Sequence, residues 1–267
     1  MERHASPLID LDSPPTLSPA PVRFLLTFDD GPHPNTPRVL NRLADNPIQR
    51  HIKALFFVQT RSLKGGGSWV GHLLLQREHR EGHVLGLHTA TTAGHVSHTR
   101  LGAIELNRSL ADGIDDLAAV TGTQTEFVRP PYWRYNDTTV RCYRTYGLSM
   151  LLSEVKAYDG VNWGGHFIQR WNLRSQLRRI PARIATRRVS TIRGHVPIVI
   201  AFHDTNGHTA GHLTDYLTLL LEEAALAGLP VGKRPFYDDP TELRDAAYSC
   251  TAYPCMRRKD HHGESEA

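Results

Sequence analysis

The sequence predicts an α/β protein built on a parallel sheet or barrel, because short apolar runs alternate with segments of helical periodicity. Apolar residues recur every three or four positions in 103–120 and again in 213–227, which is typical of amphipathic helices. Four short apolar runs each end in a residue type that is used in catalysis. In parallel barrels the active site is built from the carboxyl ends of the strands, so these four ends predict one shared site.

The first apolar run, 22–26, leads into Thr27-Phe28-Asp29-Asp30-Gly31-Pro32. Gly31 and Pro32 end the predicted strand. Alternation along a strand aims neighbouring side chains in different directions, so Asp29 and Asp30 are expected to have different partners. Adjacent carboxylates are costly unless a cation or a shared proton compensates them. The alternative for this segment alone is an ordinary turn rich in Asp and Gly.

Three further strand ends carry polar residues. The run 82–87 ends at His88-Thr89 and is followed by His95 and His98, and the run 197–202 ends at His203-Asp204. The run 127–128 ends at Arg129, which precedes Pro130 and Pro131. Two prolines predict a rigid turn that aims Arg129, although a surface loop arginine is the alternative.

Taken in order, these segments resemble the five motifs of the polysaccharide deacetylase (NodB homology) family, carbohydrate esterase family 4. The resemblance covers about residues 22–232 and implies a distorted (β/α) barrel. The matching segments in this sequence are Thr27-Phe28-Asp29-Asp30-Gly31-Pro32, His88-Thr89, Arg129-Pro130-Pro131-Tyr132, Asp159-Gly160-Val161-Asn162-Trp163 and Ala201-Phe202-His203-Asp204.

The resemblance implies a divalent metal, most often zinc, with cobalt or nickel as alternatives. One carboxylate and two imidazoles would bind it, and Asp30 and His88 are the first two ligands by motif position. Asp29 would act as the general base, oriented by Arg129, which Asp159 would hold in turn.

The remaining motif positions imply the rest of the catalytic apparatus. The backbone N–H of Tyr132 would stabilise the oxyanion, and His203 would act as the general acid. Trp133 and Trp163 would contact the sugar.

The second motif departs from the family pattern, which places its second histidine four residues after the first. Position 92 is Thr92, so the third metal ligand has two candidates. The segment 97–101 resembles the usual continuation of the motif, which favours His98, with His95 as the substitute. Separation in sequence matters less than convergence in space, so a longer loop can still complete the site. The alternative is that the insertion abolishes metal binding.

The resemblance implies removal of acetyl groups from an N-acetylated sugar, oligosaccharide or polysaccharide. Three departures leave the substrate open: Trp133 stands where glycine is frequent, Asn162 replaces the second aspartate of the fourth motif, and Ala201 replaces the usual leucine of the fifth. An O-acyl ester or a non-sugar amide is therefore a second hypothesis for the same fold. A third is a catalytically inactive carbohydrate-binding relative.

At 267 residues the chain is long enough for one barrel-sized domain. We expect a flexible leader at 1–21, a catalytic domain at 22–235 and an irregular tail at 236–267. The net charge of +4 gives no indication of nucleic-acid binding, and no protein partner is predicted. The arginine-rich segment 170–193 predicts a solvated helix face, with contact to an anionic polymer as the alternative.

The sequence shows neither the apolar run of a signal peptide nor a stretch long enough to span a membrane. As given, it favours a cytoplasmic protein, and a precursor that starts earlier would allow an extracytoplasmic one.

Overall fold

A parallel sheet of eight strands forms the centre of the computed structural model, which describes residues 20–159, 165–186 and 191–252, without the side chains of 165–169 and 186. The strands are β1 (Val22–Asp29), β2 (Leu55–Gln59), β3 (Val84–Thr89), β4 (Phe127–Val128), β5 (Ser149–Met150), β6 (Val155–Lys156), β7 (Val196–His203) and β8 (Val231–Phe236). The helices are α1 (Thr36–Ala44), α2 (Trp69–Arg80), α3 (Ala103–Thr121), α4 (Asp137–Thr145), α5 (Gly165–Leu177), α6 (Ile180–Thr186), α7 (Gly207–Leu226) and α8 (Pro240–Ser249).

The sheet curls into a half-barrel with the strand order β5-β4-β3-β2-β1-β7-β6, and β8 also pairs with β1. The predicted parallel α/β fold is therefore confirmed. The two helices predicted from periodicity correspond to α3 and α7, although α7 begins six residues earlier than expected. All residues of β1 are buried, as expected for a central parallel strand that is covered on both faces.

The two faces of the sheet pack into two apolar clusters, because successive side chains along a strand alternate. One cluster includes Phe24, Leu26 and Phe28 of β1 and packs against the surrounding helices. The other gathers the opposite face, including Leu25, and continues into α8. By the same alternation, Thr27 and Asp29 share the face of Leu25.

The C-terminal segment differs from the predicted irregular tail, because residues 240–249 form α8. Asp239 caps this helix by accepting hydrogen bonds from the backbone N–H groups of Thr241 and Glu242. Leu243, Ala246 and Ala247 are fully buried against the sheet. The folded domain therefore extends beyond residue 235.

Replacing Leu243 by alanine is expected to lower the free energy of unfolding by about 2–5 kcal/mol, the usual cost of a cavity at a buried leucine. Urea denaturation measures the change. Leu226→Ala is the matched control, because Leu226 is 66% exposed at the end of α7 and its loss should cost about 0.5 kcal/mol or less. Equal stability of both variants would contradict a core role for α8.

The arginine-rich segment is only partly the solvated face that the sequence predicts. Arg170 and Arg174 of α5 form ion pairs with the buried carboxylate of Glu223 on α7, at 3.1 and 2.7 Å. These two arginines therefore join α5 to α7.

The described residues exclude four segments: 1–19, 160–164, 187–190 and 253–267. Most of the predicted leader and the predicted sugar contact of Trp163 therefore lie outside the described residues. Within the described ranges, the helices are too short or too polar to cross a membrane.

Candidate active site

The carboxyl end of β1 aims its two aspartates at different partners, as alternation predicts. Asp29 is the last residue of the strand and lies on the inner face. Asp30 follows with a φ of 74°, which turns its side chain away from the strand direction. Gly31 comes next because a Cβ there would overlap the carboxylate of Asp204.

Burial raises the pKa of Asp204 to about 7, although the hydrogen bond from Thr36 opposes the rise.

Arg129 is completely buried and holds Asp29, so the surface-loop alternative does not apply. Its Nη1 donates to Asp29 Oδ1 at 2.7 Å and to Thr27 Oγ1 at 2.5 Å. Its Nε donates to the carbonyl of Leu151 at 3.0 Å, and the guanidinium stacks over the ring of Phe57 at 4.2 Å. A charge-assisted hydrogen bond of this kind fixes the orientation of the Asp29 carboxylate.

Asp159 does not hold Arg129, which corrects the partner implied by the resemblance. It binds His203 instead, since Asp159 Oδ1 accepts from His203 Nδ1 at 2.7 Å and Oδ2 accepts from the backbone N–H of His203 at 2.8 Å. Thr209 Oγ1 also donates to Asp159 Oδ2. Arg129 donates instead to the side chains of Asp29 and Thr27 on β1 and to the backbone carbonyls of Leu151 and Leu152, which follow β5.

The hydrogen bond to Asp159 determines which ring nitrogen of His203 can transfer a proton, and it raises the pKa of the ring. Burial alone would lower the pKa of His203, but the hydrogen bond and charge of Asp159, with the charges of Asp29 and Asp30, raise it to about 9. Because Nδ1 donates to Asp159, Nε2 is the ring nitrogen that is left to exchange a proton. Asp29 and His203 are direct partners in the β1–β7 register, so the predicted base and acid lie side by side.

Three potential ligand atoms converge beside Asp29, from Asp30, His88 and His95. They lie within 4.8 Å of one another, and both Nε2 atoms are 3.3 Å from Asp30 Oδ1. His88 Nδ1 is 2.7 Å from the carbonyl of Arg129, which can only accept, so the neutral ring carries its lone pair on Nε2. Burial would raise the pKa of Asp30, but when the nearby imidazoles are protonated the hydrogen bond from His88 Nε2 and the charges of His88, His95 and His203 lower it to about 2.

This donor set fits a zinc-like ion, because two imidazole nitrogens and one carboxylate oxygen leave coordination positions open. His88 Nδ1 donates to the backbone carbonyl of Arg129. A hydrogen bond of this kind, made by the ring nitrogen that does not bind the metal, fixes the tautomer of a metal-binding histidine.

His98, the favoured third ligand from the sequence, is not part of this group, and His95 takes its place. His98 is 1% exposed, and its Nδ1 is 2.7 Å from the hydroxyl of Tyr143 on α4. Burial lowers the pKa of His98 to about 3, so the ring is neutral. The ring of His98 therefore binds Tyr143 on α4, whereas the ring of His95 faces Asp30 and His88.

The convergent side chains line a cavity of about 340 Å³, together with Tyr132, Trp133 and Arg134. Tyr132 and Trp133 both have a positive φ, 58° and 61°, which is uncommon without glycine. Two cation–π contacts hold the half-buried ring of Trp133. The Arg129 guanidinium lies 4.9 Å from the ring centroid, and Lys156 Nζ lies 4.2 Å from it.

The sequence did not predict two residues of this site, Thr27 and Lys156. Thr27 had a readable signal, since it stands two residues before Asp29 and therefore on the same face of β1. Lys156 had none, because only the curvature of the sheet brings β6 against Trp133.

A sequence profile for polysaccharide deacetylase matches residues 18–151, half of the chain. The chain belongs to the polysaccharide deacetylase family.

Individual relatives share about a third or less of their residues with this chain in the aligned segments. A chitin deacetylase from Arthroderma benhamiae is 28% identical over 137 residues, which are 50% of this chain and 34% of that protein. A peptidoglycan-N-acetylmuramic acid deacetylase from Bacillus subtilis is 33% identical over 132 residues, 49% of this chain and 26% of that protein. The chain thus aligns with about a third or less of each relative. The fold resembles that of the chitin deacetylase from Colletotrichum lindemuthianum, with a TM-score of 0.61, 17% identity and coverage of 91% of this chain and 95% of the other.

Proposed function

We propose that this protein is a metal-dependent deacetylase that hydrolyses the acetamido group of an N-acetylated carbohydrate. The observation that carries the proposal is the convergence of three ligand atoms beside two separately held groups, a carboxylate fixed by Arg129 and an imidazole fixed by Asp159. The names of the chitin and peptidoglycan relatives support the substrate class.

Asp30, His88 and His95 would hold the metal. Zinc is the expected ion, and cobalt and nickel accept similar donors. When bound, the ion would supply Lewis-acid activation of the attacking water and of the acyl carbonyl.

The chain's own residues would carry the proton transfers and orient the substrate. Asp29 would accept the proton of the attacking water, because Arg129 occupies its Oδ1 and keeps the carboxylate in one orientation. The backbone N–H of Tyr132 would donate to the developing oxyanion, a contribution of about 3 kcal/mol in comparable sites. His203 Nε2 would protonate the departing amine, and the ring of Trp133 would form the wall that contacts the sugar.

The proposal is tested by measuring acetate release from an N-acetylglucosamine oligomer by zinc-loaded protein, with and without a chelator. Acetate release that the chelator abolishes and added zinc restores is the expected result. Release from an acetylated xylan but not from the amide substrate would favour the O-acyl ester hypothesis, which the bulky Trp133 motivates. Sugar binding without turnover of either substrate would favour an inactive relative.

The pH dependence of the proposed acid follows from its pKa. His203 must be protonated to act, and its raised pKa of about 9 keeps it protonated up to that pH. Asp159→Asn removes the charge that raises this pKa, so the alkaline limb of kcat should move about one to three pH units downward. Asp215→Asn is the matched control, because it removes the partner of the exposed His212 and should leave the profile unchanged. An unshifted limb in Asp159→Asn would exclude His203 as the acid.

A further inference from the structure

His95 lies on a loop and lacks the support that a helix would give to a ligand. It stands seven residues after His88, between the end of β3 and the short helical turn at His98–Arg100. The loop fixes its own backbone just before His95, where Thr91 Oγ1 donates to the carbonyl of Gly94 at 2.8 Å. This contact orders the backbone of the turn but does not involve the ring of His95.

Tyr132 holds that ring from the other side of the cavity. The two rings stack in parallel, with centroids 4.2 Å apart and an interplanar angle of 18°. Tyr132 Oη donates to the backbone carbonyl of His95 at 3.1 Å. His95 stacks in turn on His88, with centroids 5.0 Å apart. One tyrosine therefore fixes both the backbone and the ring plane of His95.

We propose that the side chain of Tyr132 is a positioning residue for the metal ligand His95, an inference that rests on the proposed function. Metal-binding histidines are usually oriented by a hydrogen bond that their second ring N–H donates. Among the described residues no such hydrogen bond reaches His95 Nδ1, and the stack with Tyr132 takes over the orienting role.

This arrangement gives Tyr132 two separable functions. Its backbone N–H would donate to the proposed oxyanion, and its side chain orders the loop that carries His95. The two can be separated experimentally, since a change of side chain leaves the backbone N–H in place.

The test compares Tyr132→Leu and Tyr132→Phe with the wild-type 267-residue chain, using zinc alone as the probe. Zinc affinity is measured by competition with a chromophoric chelator at one pH. Leucine removes the stack and the hydroxyl, and we expect zinc affinity to fall by about 10–100-fold, as for other outer contacts of metal sites. Phenylalanine keeps the stack and should recover most of the affinity. All three side chains are unbranched at Cβ, so the backbone cost of the positive φ stays similar.

Tyr135→Leu is the matched control, because Tyr135 is 40% exposed nearby and has no described contact with His95. Its zinc affinity should equal that of the wild type. A Tyr132→Leu variant that binds zinc within about twofold of an active wild type would overturn this inference alone. A wild type that neither binds zinc nor releases acetate would overturn the proposed function and this inference with it.

Discussion

Asp29→Asn is expected to lower kcat by about 10²–10⁴-fold, the usual contribution of a general base. Arg129 Nη1 can donate only to an acceptor, so it will select the amide oxygen of the introduced asparagine for the position that Oδ1 now occupies. The amide NH₂ is then directed to the position of Oδ2, where the attacking water needs an acceptor. The substitution keeps the shape of the side chain but reverses its hydrogen-bonding role at the reacting atom.

Zinc content and stability distinguish this effect from a general disruption of the site. Asp29 is not one of the three converging ligands, so Asp29→Asn should keep its zinc. Asp45→Asn is the control, because the side chain of Asp45 is 73% exposed and pairs with Arg50 at the surface. A kcat for Asp29→Asn within about tenfold of the wild type would exclude Asp29 as the base.

The second large effect concerns the third metal ligand. His95→Ala is expected to lose tightly bound zinc, with a decrease in affinity greater than the roughly 10–100-fold caused by losing an outer contact. The reason is that His95 Nε2 is one of only three protein donors in the group. Elemental analysis after desalting measures the loss, and chelator competition gives its size.

His98→Ala should behave in the opposite way. It removes the buried partner of the Tyr143 hydroxyl, which should cost about 1–3 kcal/mol of folding free energy, while zinc content stays unchanged. The two variants therefore separate ligand loss from loss of packing. Zinc lost in His98→Ala but retained in His95→Ala would restore the ligand assignment that the sequence favoured.

The strand ends could be predicted because their signals are local. A short apolar run followed by a polar turn places a side chain at the carboxyl edge of a parallel sheet, and the register then brings Asp29 beside His203. The α8 helix also had a local signal, the capping Asp239 followed by Pro240 and by buried positions at 243, 246 and 247. That signal was hidden by the polar composition around it.

The choice between His95 and His98 could not be made from sequence, because spacing does not determine where a loop side chain points. Partners distant in sequence decide it: Tyr143 is 45 residues from His98, and Tyr132 is 37 residues from His95. The same holds for Asp159, whose partner depends on which strand lies next to β6. Such contacts arise from the curvature of the whole sheet rather than from any single segment.

The zinc content of wild-type protein after loading and desalting tests the central claim most directly, with Asp30→Ala measured beside it. We expect about one equivalent of zinc per chain in the wild type and none in the variant, since Asp30 Oδ1 is the atom that both imidazoles face. Absence of retained zinc in a folded wild-type protein would contradict the claim that the displaced His95 completes a metal site.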